Sequence, residues 1–422
     1  MKKIISILLI LLVAFTSVFA ASTTDEDLNG NTNEAYSFIA KPFTKTSARI
    51  MSMGGAGLAV RNNQDALFVN PASLGEKGLV WNVPNVAVTL FNPYKFVEEN
   101  LLDKVIAGDF ENMSVEEMTP ILGILGTNVG NLARVDAGIG VKWGRFATST
   151  DIQVNLNTYA KESVTDIQIV PQVDVVQSLG LGFRFFREKP FNFDVGVAAR
   201  FNARVYMQGV NALSLVPSSD GGKDGGSTAD NPMDTVLSSN AVLAGYAIPI
   251  DIGVNVNMPL GFTVSAVVKN LNGDFKFVRN ESINEVQKNP SADVMFGDPA
   301  FKTKVPWTLN TGFGWSPDFG GYEWIGDVTI GVDIVDVLHL FNESNFVSNF
   351  FSSLKLGAEV QLFKGFEFRA GLNQGYPSVG VGLNIFNVLH LEASYYTVEM
   401  GKTVGDKDVD ALTIRFSTFW ER

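Results

Sequence analysis

"FDVGVAARFNARVY", residues 193–206, decides how the rest of the chain is read. Val195, Val197, Ala199, Phe201, Ala203 and Val205 alternate with Asp194, Gly196, Ala198, Arg200, Asn202 and Arg204. Side chains of an extended chain point to opposite faces at every second residue, so one face here is apolar and the other carries charge and glycine. The same period recurs in "LARVDAGIGVKW" (132–143), "LKLGAEVQL" (354–362), "FEFRAGLN" (366–373) and "LTIRFSTFW" (412–420). An antiparallel sandwich with one wet face alternates in the same way. The segments are long, however, many of them near 10–13 residues. A soluble strand averages about 5–6 residues, whereas a tilted strand crossing a bilayer needs about 9–11. The polar face, rich in Gly, Arg, Lys, Asp and Glu, suits an enclosed interior.

Fourteen such segments are predicted: 81–91, 131–143, 145–158, 175–187, 191–207, 246–258, 261–271, 304–315, 324–335, 352–362, 365–373, 376–386, 388–397 and 410–420. Tight links at Gly144, "REKP", "PLG" and Lys364-Gly365 take turns with long ones at 92–130, 159–174, 208–245, 272–303, 336–351 and 398–409. That rhythm fits hairpins with short periplasmic turns and long extracellular loops. The short link at Gln374-Gly375 is the one misfit. In lipid every backbone N–H and C=O must be paired, so spanning strands have to close. The expected fold is all-β: a transmembrane antiparallel β-barrel of about 14 strands, residues 81–422, with both ends in the periplasm.

The start of the chain agrees. Residues 1–20 have Lys2 and Lys3 before an apolar run from Ile4 to Phe19, and Val18-Phe19-Ala20 predicts cleavage after Ala20. The run is short for a spanning anchor, which needs about 20 residues. Removing these residues leaves 30 basic against 44 acidic side chains, a balance of −14. An acidic chain without basic clusters is not expected to bind nucleic acid. The absence of Cys excludes lipid acylation, disulfides and thiol chemistry. No further stretch of about 18 apolar residues is present. The chain should therefore reach an outer membrane and work there as a monomer. The final aromatics Phe419-Trp420 suit recognition by barrel-assembly machinery, although Glu421 and Arg422 follow them.

Between the signal peptide and the first strand lies a segment, 21–80, that must sit inside or under the barrel. It contains "GGAGLAVRNNQDALFVNPASL" (54–74). Pro71 fixes its own φ and biases Asn70 toward extended geometry. Asn70 can close a local turn, Ala72 leaves room, and Gly54, Gly55 and Gly57 permit close backbone approach. These residues predict a compact hatch with one fixed bend. "ARIMSMGGAGLAVRNNQDALFVNPASL" resembles the N-terminal hatch of the long-chain fatty-acid transporter (FadL-type) barrels, which carry an Asn-Pro-Ala box. It is also similar to an uncharacterised family of spirochaete outer-membrane proteins and to PorV-like proteins of a gliding-associated secretion system. The stretch "FEFRAGLNQGYPSVGVGLNIFNVLHLEASYYTVEMG" strengthens the spirochaete likeness. The resemblance covers the hatch well, the last hundred residues moderately, and the middle only as a strand pattern. It implies uptake of fatty acids or similar small hydrophobic molecules: an extracellular groove, a lumen gated by the hatch, and a sideways exit through the wall. The alternative it implies is a surface or secretion-partner barrel that transports nothing.

Candidate ligand contacts follow. The link 92–130 breaks the period of two. Ser114 and Glu117 have capping-box spacing, and Met118, Ile121, Leu122 and Leu125 share one helical face. Leu101, Leu102, Val105 and Ile106 form a second apolar set. Two amphipathic helices would offer an apolar landing groove, or pack on each other as a cap. Arg134, Arg184, Arg200, Arg204, Arg369 and Arg415 fall on the lumenal face. Arg200 and Arg204 are the candidates for a ligand carboxylate, which arginine matches bidentately. The competing role is pairing with lumenal acids such as Asp136, Asp194, Glu359 and Glu367. His339 and His390 sit in similar words, "VDVLHLF" and "FNVLHLE", which read as a repeated turn-to-strand motif. Without a nucleophile motif or thiol they do not build an enzyme, and no metal or cofactor is expected. Trp81, Trp143, Trp307, Trp324 and Trp420 lie near predicted strand ends, where interfacial girdles belong.

Overall fold

A computed structural model describes residues 41–98 (except 62 and 77), 128–160, 168–207, 210–211, 241–280, 291–317 (except 292), 325–341, 346–400 (except 364 and 387) and 404–421 (except 406). The leader 1–20, residues 21–40 of the expected hatch and the loop residues Leu101, Leu102, Val105, Met118, Ile121, Leu122 and Leu125 lie outside the described residues, as does Trp324.

The alternation has its predicted consequence. Val195 and Val197 are 39% and 41% exposed, whereas Asp194 and Arg204 beside them are 1% and 2% exposed. Apolar residues therefore face outward and polar residues inward, the reverse of a soluble sandwich. The same outward rows run through Leu179, Leu181, Phe183, Ile252, Val254, Val264, Phe368, Val379, Val381, Ile414 and Phe416. No described helix is long and apolar enough to cross a membrane.

The sheet is a closed ring of fourteen antiparallel strands. Five precede the first interruption: β1 (Leu79–Phe91), β2 (Asn128–Trp143), β3 (Phe146–Ala160), β4 (Gln168–Phe185) and β5 (Asn192–Met207). The next three each consist of two pieces: β6 (Val242–Ala247 and Ile250–Asn257), β7 (Phe262–Leu271 and Phe275–Asn280) and β8 (Phe301–Thr303 and Thr308–Trp315). Six unbroken strands complete it: β9 (Ile325–Ile334), β10 (Leu354–Leu362), β11 (Phe366–Asn373), β12 (Tyr376–Ile385), β13 (Leu389–Glu399) and β14 (Asp408–Glu421). β1 closes the ring by pairing with both neighbours, so that Val88 faces Val135 on β2 and Ile414 on β14.

All fourteen predicted strands are present, with corrected ends. β4 begins at Gln168, seven residues early, because the ladder to β3 runs through Pro171, which reads from sequence as a strand breaker. β6 begins at Val242, and 275–280 and 301–303 are strand rather than link. These pieces are cut off from their strands by breaks at 248–249, 272–274 and 304–307, which interrupt the period. Trp307 lies in one such break, not at a strand end. β2 starts at Asn128, inside the predicted link 92–130, and that link opens with a short helix, Pro93–Glu98. The short link at Gln374-Gly375 is real. Both residues have positive φ (56° and 89°), the geometry of a two-residue hairpin turn.

The three breaks lie side by side in the wall. There Val305 N donates to Asp274 Oδ1 (3.0 Å) and Asn272 Nδ2 to the Ile248 carbonyl (3.2 Å) in place of a regular ladder. Outside, a short helix, Asp293–Phe296, covers Val175, Ala203 and Ala244, with Phe296 against Tyr246 at 4.9 Å between ring centroids.

Candidate functional site

Residues 41–76 pack on the inner face of the ring. A short helix, Ala48–Ser52, starts where the Ser47 side chain accepts from Ile50 N, and it lies against β11, β12 and β13. Across the lumen the 3₁₀ turn Pro71–Gly75 lies against β4, β5 and β6. Asn70 makes the bend between the halves. Its side-chain oxygen accepts from Ala72 N (3.0 Å), and its amide donates to the Leu58 carbonyl and to Asn255 Oδ1, both at 2.7 Å. Pro71 suits the first position of the turn because it has no N–H to leave unpaired.

Two wall glycines show how close the fit is. A Cβ on Gly196 would run into the Pro71 carbonyl, and one on Gly371 into Gly54 N. Gly54 itself has φ 63°, and Gly55 has φ 81°. Glycine on the lumenal face is thus the mark of where the segment lies. The sequence pattern alone shows only that these positions are lumenal.

Charged and polar anchors add to the fit. Arg49 grips Glu359 with two hydrogen bonds, at 2.9 and 2.6 Å. Asp65 receives two from Arg415, at 2.8 and 3.1 Å. Asp333 Oδ2 accepts from Gly57 N (2.7 Å) and Leu58 N (2.9 Å), and Gly54 N donates to Ser378 Oγ (2.9 Å). Burial disfavours the Asp65 carboxylate, but the charges of Arg415 and Lys45 and the bonds from Arg415 and Ser47 outweigh it and hold its pKa at about 2. The same balance, with Glu359 as partner, pushes Arg49 above its ordinary value.

The segment divides the lumen into chambers. On the long-loop side is a cavity of ≈ 420 Å³. Its floor is Phe43, Ile50, Met51, Leu58, Phe68 and Val69, and its wall includes Val305, Val335 and Tyr396. That volume falls in the range of small-molecule sites, about 300–1,000 Å³. On the short-turn side are two cavities of ≈ 460 and ≈ 330 Å³. The larger is polar, walled by Glu359, Arg369, Glu392 and Arg415.

Three lysines line the chamber, and Lys45 among them is paired with Asp151 at 2.9 Å. Lys269 Nζ donates to the Phe68 carbonyl (3.0 Å). Lys355 Nζ lies 2.9 Å from where a Cβ of Gly55 would stand, and among the described residues it has no hydrogen-bond or ion-pair partner. Sequence reasoning passed over both; the available signal was their place on the polar face of alternating strands.

No family model and no curated protein matches the sequence. Among solved structures, the chain is similar to the CymD monoaromatic hydrocarbon channel, with 11% identity over 89% of this chain and 96% of that one, at a TM-score of 0.43. It is similar to the Ralstonia pickettii toluene transporter TbuX, with 12% identity, 89% and 98% coverage and a TM-score of 0.43. It is also similar to a Pseudomonas aeruginosa FadL homologue, with 12% identity, 90% and 99% coverage and a TM-score of 0.39. At such identity and TM-score they say nothing of this chain's ligand.

The two candidate arginines lie in the wall beside the chamber, and both are occupied. Arg200 donates to both oxygens of Asp251 (2.6 and 2.9 Å), and Arg204 to Asp174 (2.6 Å) and to the Lys41 carbonyl (2.8 Å). Arg184 holds Asp194 and Glu76, and Arg369 bridges Glu359, Glu392 and Glu367. Arg134 donates instead to Asn155 (2.6 Å). The two histidines lie at opposite ends of the barrel. His339 opens a 3₁₀ turn (His339–Phe341) after β9, and His390 is buried at the start of β13, so they share no site. No cluster of metal-ligating side chains is found among the described residues.

Proposed function

We propose that this chain is an outer-membrane uptake channel for small hydrophobic molecules, long-chain fatty acids above all. The observation that carries this reading is the apolar chamber on the long-loop side, floored by residues 43–69 and reached by Lys355. An acyl chain fits such walls by the hydrophobic effect. A carboxylate fits a buried cation that makes no hydrogen bond or close ion pair among the described residues, with Asp333 attracting it only from beyond pairing distance. The head group is assigned to Lys355 and Lys269, because Arg200 and Arg204 already serve Asp251 and Asp174. The segment 41–76, with Gly54, Gly55, Asn70, Pro71 and Ala72 at its tightest points, acts as the hatch. The ligand arrives from the loop 92–130, and the interrupted wall of β6–β8 beside the chamber is the place for a side exit.

The test is titration of labelled oleate into the refolded protein, with Asn70→Ala and Lys355→Met beside it. Saturable binding that Lys355→Met weakens supports the reading. No saturable binding to any fatty acid or hydrocarbon tested would favour a second reading, a PorV-like partner barrel. The observation on that side is the density of lumenal ion pairs, which fix the wall and the hatch together.

A further inference from the structure

Opposite charges stand directly across neighbouring strands at five places on the lumenal face of the described ring. The pairs are Arg204 with Asp174, Arg184 with Asp194, Arg369 with Glu359, Arg415 with Glu392, and Lys355 with Asp333. Residues in that register bring their Cβ atoms to about 4.5–5.5 Å, close enough for the side chains to meet. Four of the five do meet, with N–O distances of 2.6, 2.6, 2.6 and 3.6 Å. Lys355 and Asp333 do not, and each is left with an unused group. Lys355 Nζ makes no bond among the described residues, and Asp333 Oδ1 is buried without a hydrogen bond.

The N-terminal segment keeps these two apart. Asp333 Oδ2 accepts from Gly57 N and Leu58 N, at 2.7 and 2.9 Å. The carboxylate lies over Gly312, its register neighbour on β8, where a Cβ would stand 2.5 Å from Oδ1. Lys355 runs instead over Gly55, with Nζ and Cδ 2.9 and 3.0 Å from where a Cβ would stand. Glycine at 312 thus makes room for the acid, and glycine at 55 makes room for the base. Lys269 cannot serve Asp333 in place of Lys355. It stands opposite Thr308, four residues along β8 from Gly312, which is about 13 Å at 3.3 Å per residue.

We propose that Asp333 and Lys355 are a latent ion pair, which joins when residues 54–58 leave the wall and which the docked segment holds apart. Undocking breaks the two bonds from Gly57 and Leu58, and the pair takes their place. The hatch then has two supported positions, because its departure does not leave a bare buried carboxylate. One consequence rests on the head-group role given to Lys355 above. A cation bound to Asp333 is withdrawn from a ligand carboxylate, so opening of the hatch releases the head group. By linkage, a bound carboxylate favours the docked hatch.

Hydrogen exchange over 54–58 in the full chain, without ligand, tests the pair. It is compared for the parent, Lys355→Met, Asp333→Asn and the double variant. Lys355→Met is expected to slow exchange severalfold in the parent, because the open state loses its pair, and to change nothing beside Asp333→Asn. An equal effect in both backgrounds, or faster exchange, would overturn the proposal. Gly196→Val, whose side chain takes the place of the Pro71 carbonyl, allows a direct view. In its crystal structure, with the hatch displaced, Lys355 Nζ should lie within hydrogen-bond distance of Asp333; a gap beyond ion-pair distance would contradict the assignment. Oleate should slow the same exchange in the parent, and methyl oleate, which carries no charge, should not. Saturable oleate binding with unchanged exchange would remove the release step. Absence of oleate binding would remove the head-group role and leave the ligand-free comparison to decide the pair.

Discussion

Asp65 and Arg415 stand 350 residues apart in sequence and meet through two hydrogen bonds, at 2.8 and 3.1 Å, with both side chains buried. The pair joins the N-terminal segment to β14. Removing Asp65 leaves the buried Arg415 with only Glu392 at 3.6 Å and Asn85 at 2.9 Å, so the loss lies below the roughly 3–5 kcal/mol of a buried charge left wholly unpaired. Asp65→Ala should therefore loosen the segment while the strands remain. Proteolysis of 41–76 in the folded barrel, with the strand signal followed by circular dichroism, reads both.

Acid should act through the same carboxylate. Its pKa falls from 3.8 to about 2 on docking, so the docked form binds fewer protons. Docking is then fully supported above pH 3.8 and is lost as pH falls toward 2. Protection of 41–76 measured down this range should decline in that window, and Asp65→Asn should flatten the decline.

Asn70→Ala removes an acceptor for Ala72 N and the donor to Leu58 and Asn255. Each buried group left unsatisfied costs about 1–3 kcal/mol. The bend should open, seen as faster hydrogen exchange at Ala72 and Ser73.

Gly196→Val should do similar damage from the wall side, because the added atoms take the space of the Pro71 carbonyl. The barrel should form and the segment should stay undocked. Protection of 41–76 equal to that of the parent chain would count against the close fit.

Much of this was legible in the sequence. Strands such as 193–206 announce themselves because one face meets lipid and the other an interior, and that contrast repeats every two residues. Several lumenal ion pairs follow from hairpin register as well. Arg204 lies opposite Asp174, Arg184 opposite Asp194, and Arg369 opposite Glu359. The arginines were placed correctly, but Asp174, Asp251, Asp65 and Glu392 were not foreseen as their partners. Asp65 with Arg415 and Arg49 with Glu359 have no local signal, since they depend on where a separate segment docks. The chamber was hidden for the same reason: Phe43, Leu58 and Val335 come together only after the ring has closed.

The central claim is that the N-terminal segment gates the lumen. A Cβ on Gly331 would lie 3.4 Å from that of Ala56, close to the roughly 3.5–4.5 Å of a disulfide. Ala56→Cys with Gly331→Cys therefore ties hatch to wall in an otherwise cysteine-free chain. The decisive measurement is uptake of labelled oleate into proteoliposomes by this variant, oxidised and then reduced. The account predicts that oxidation keeps oleate binding and stops uptake, and that reduction restores it. Equal uptake in both states would contradict it.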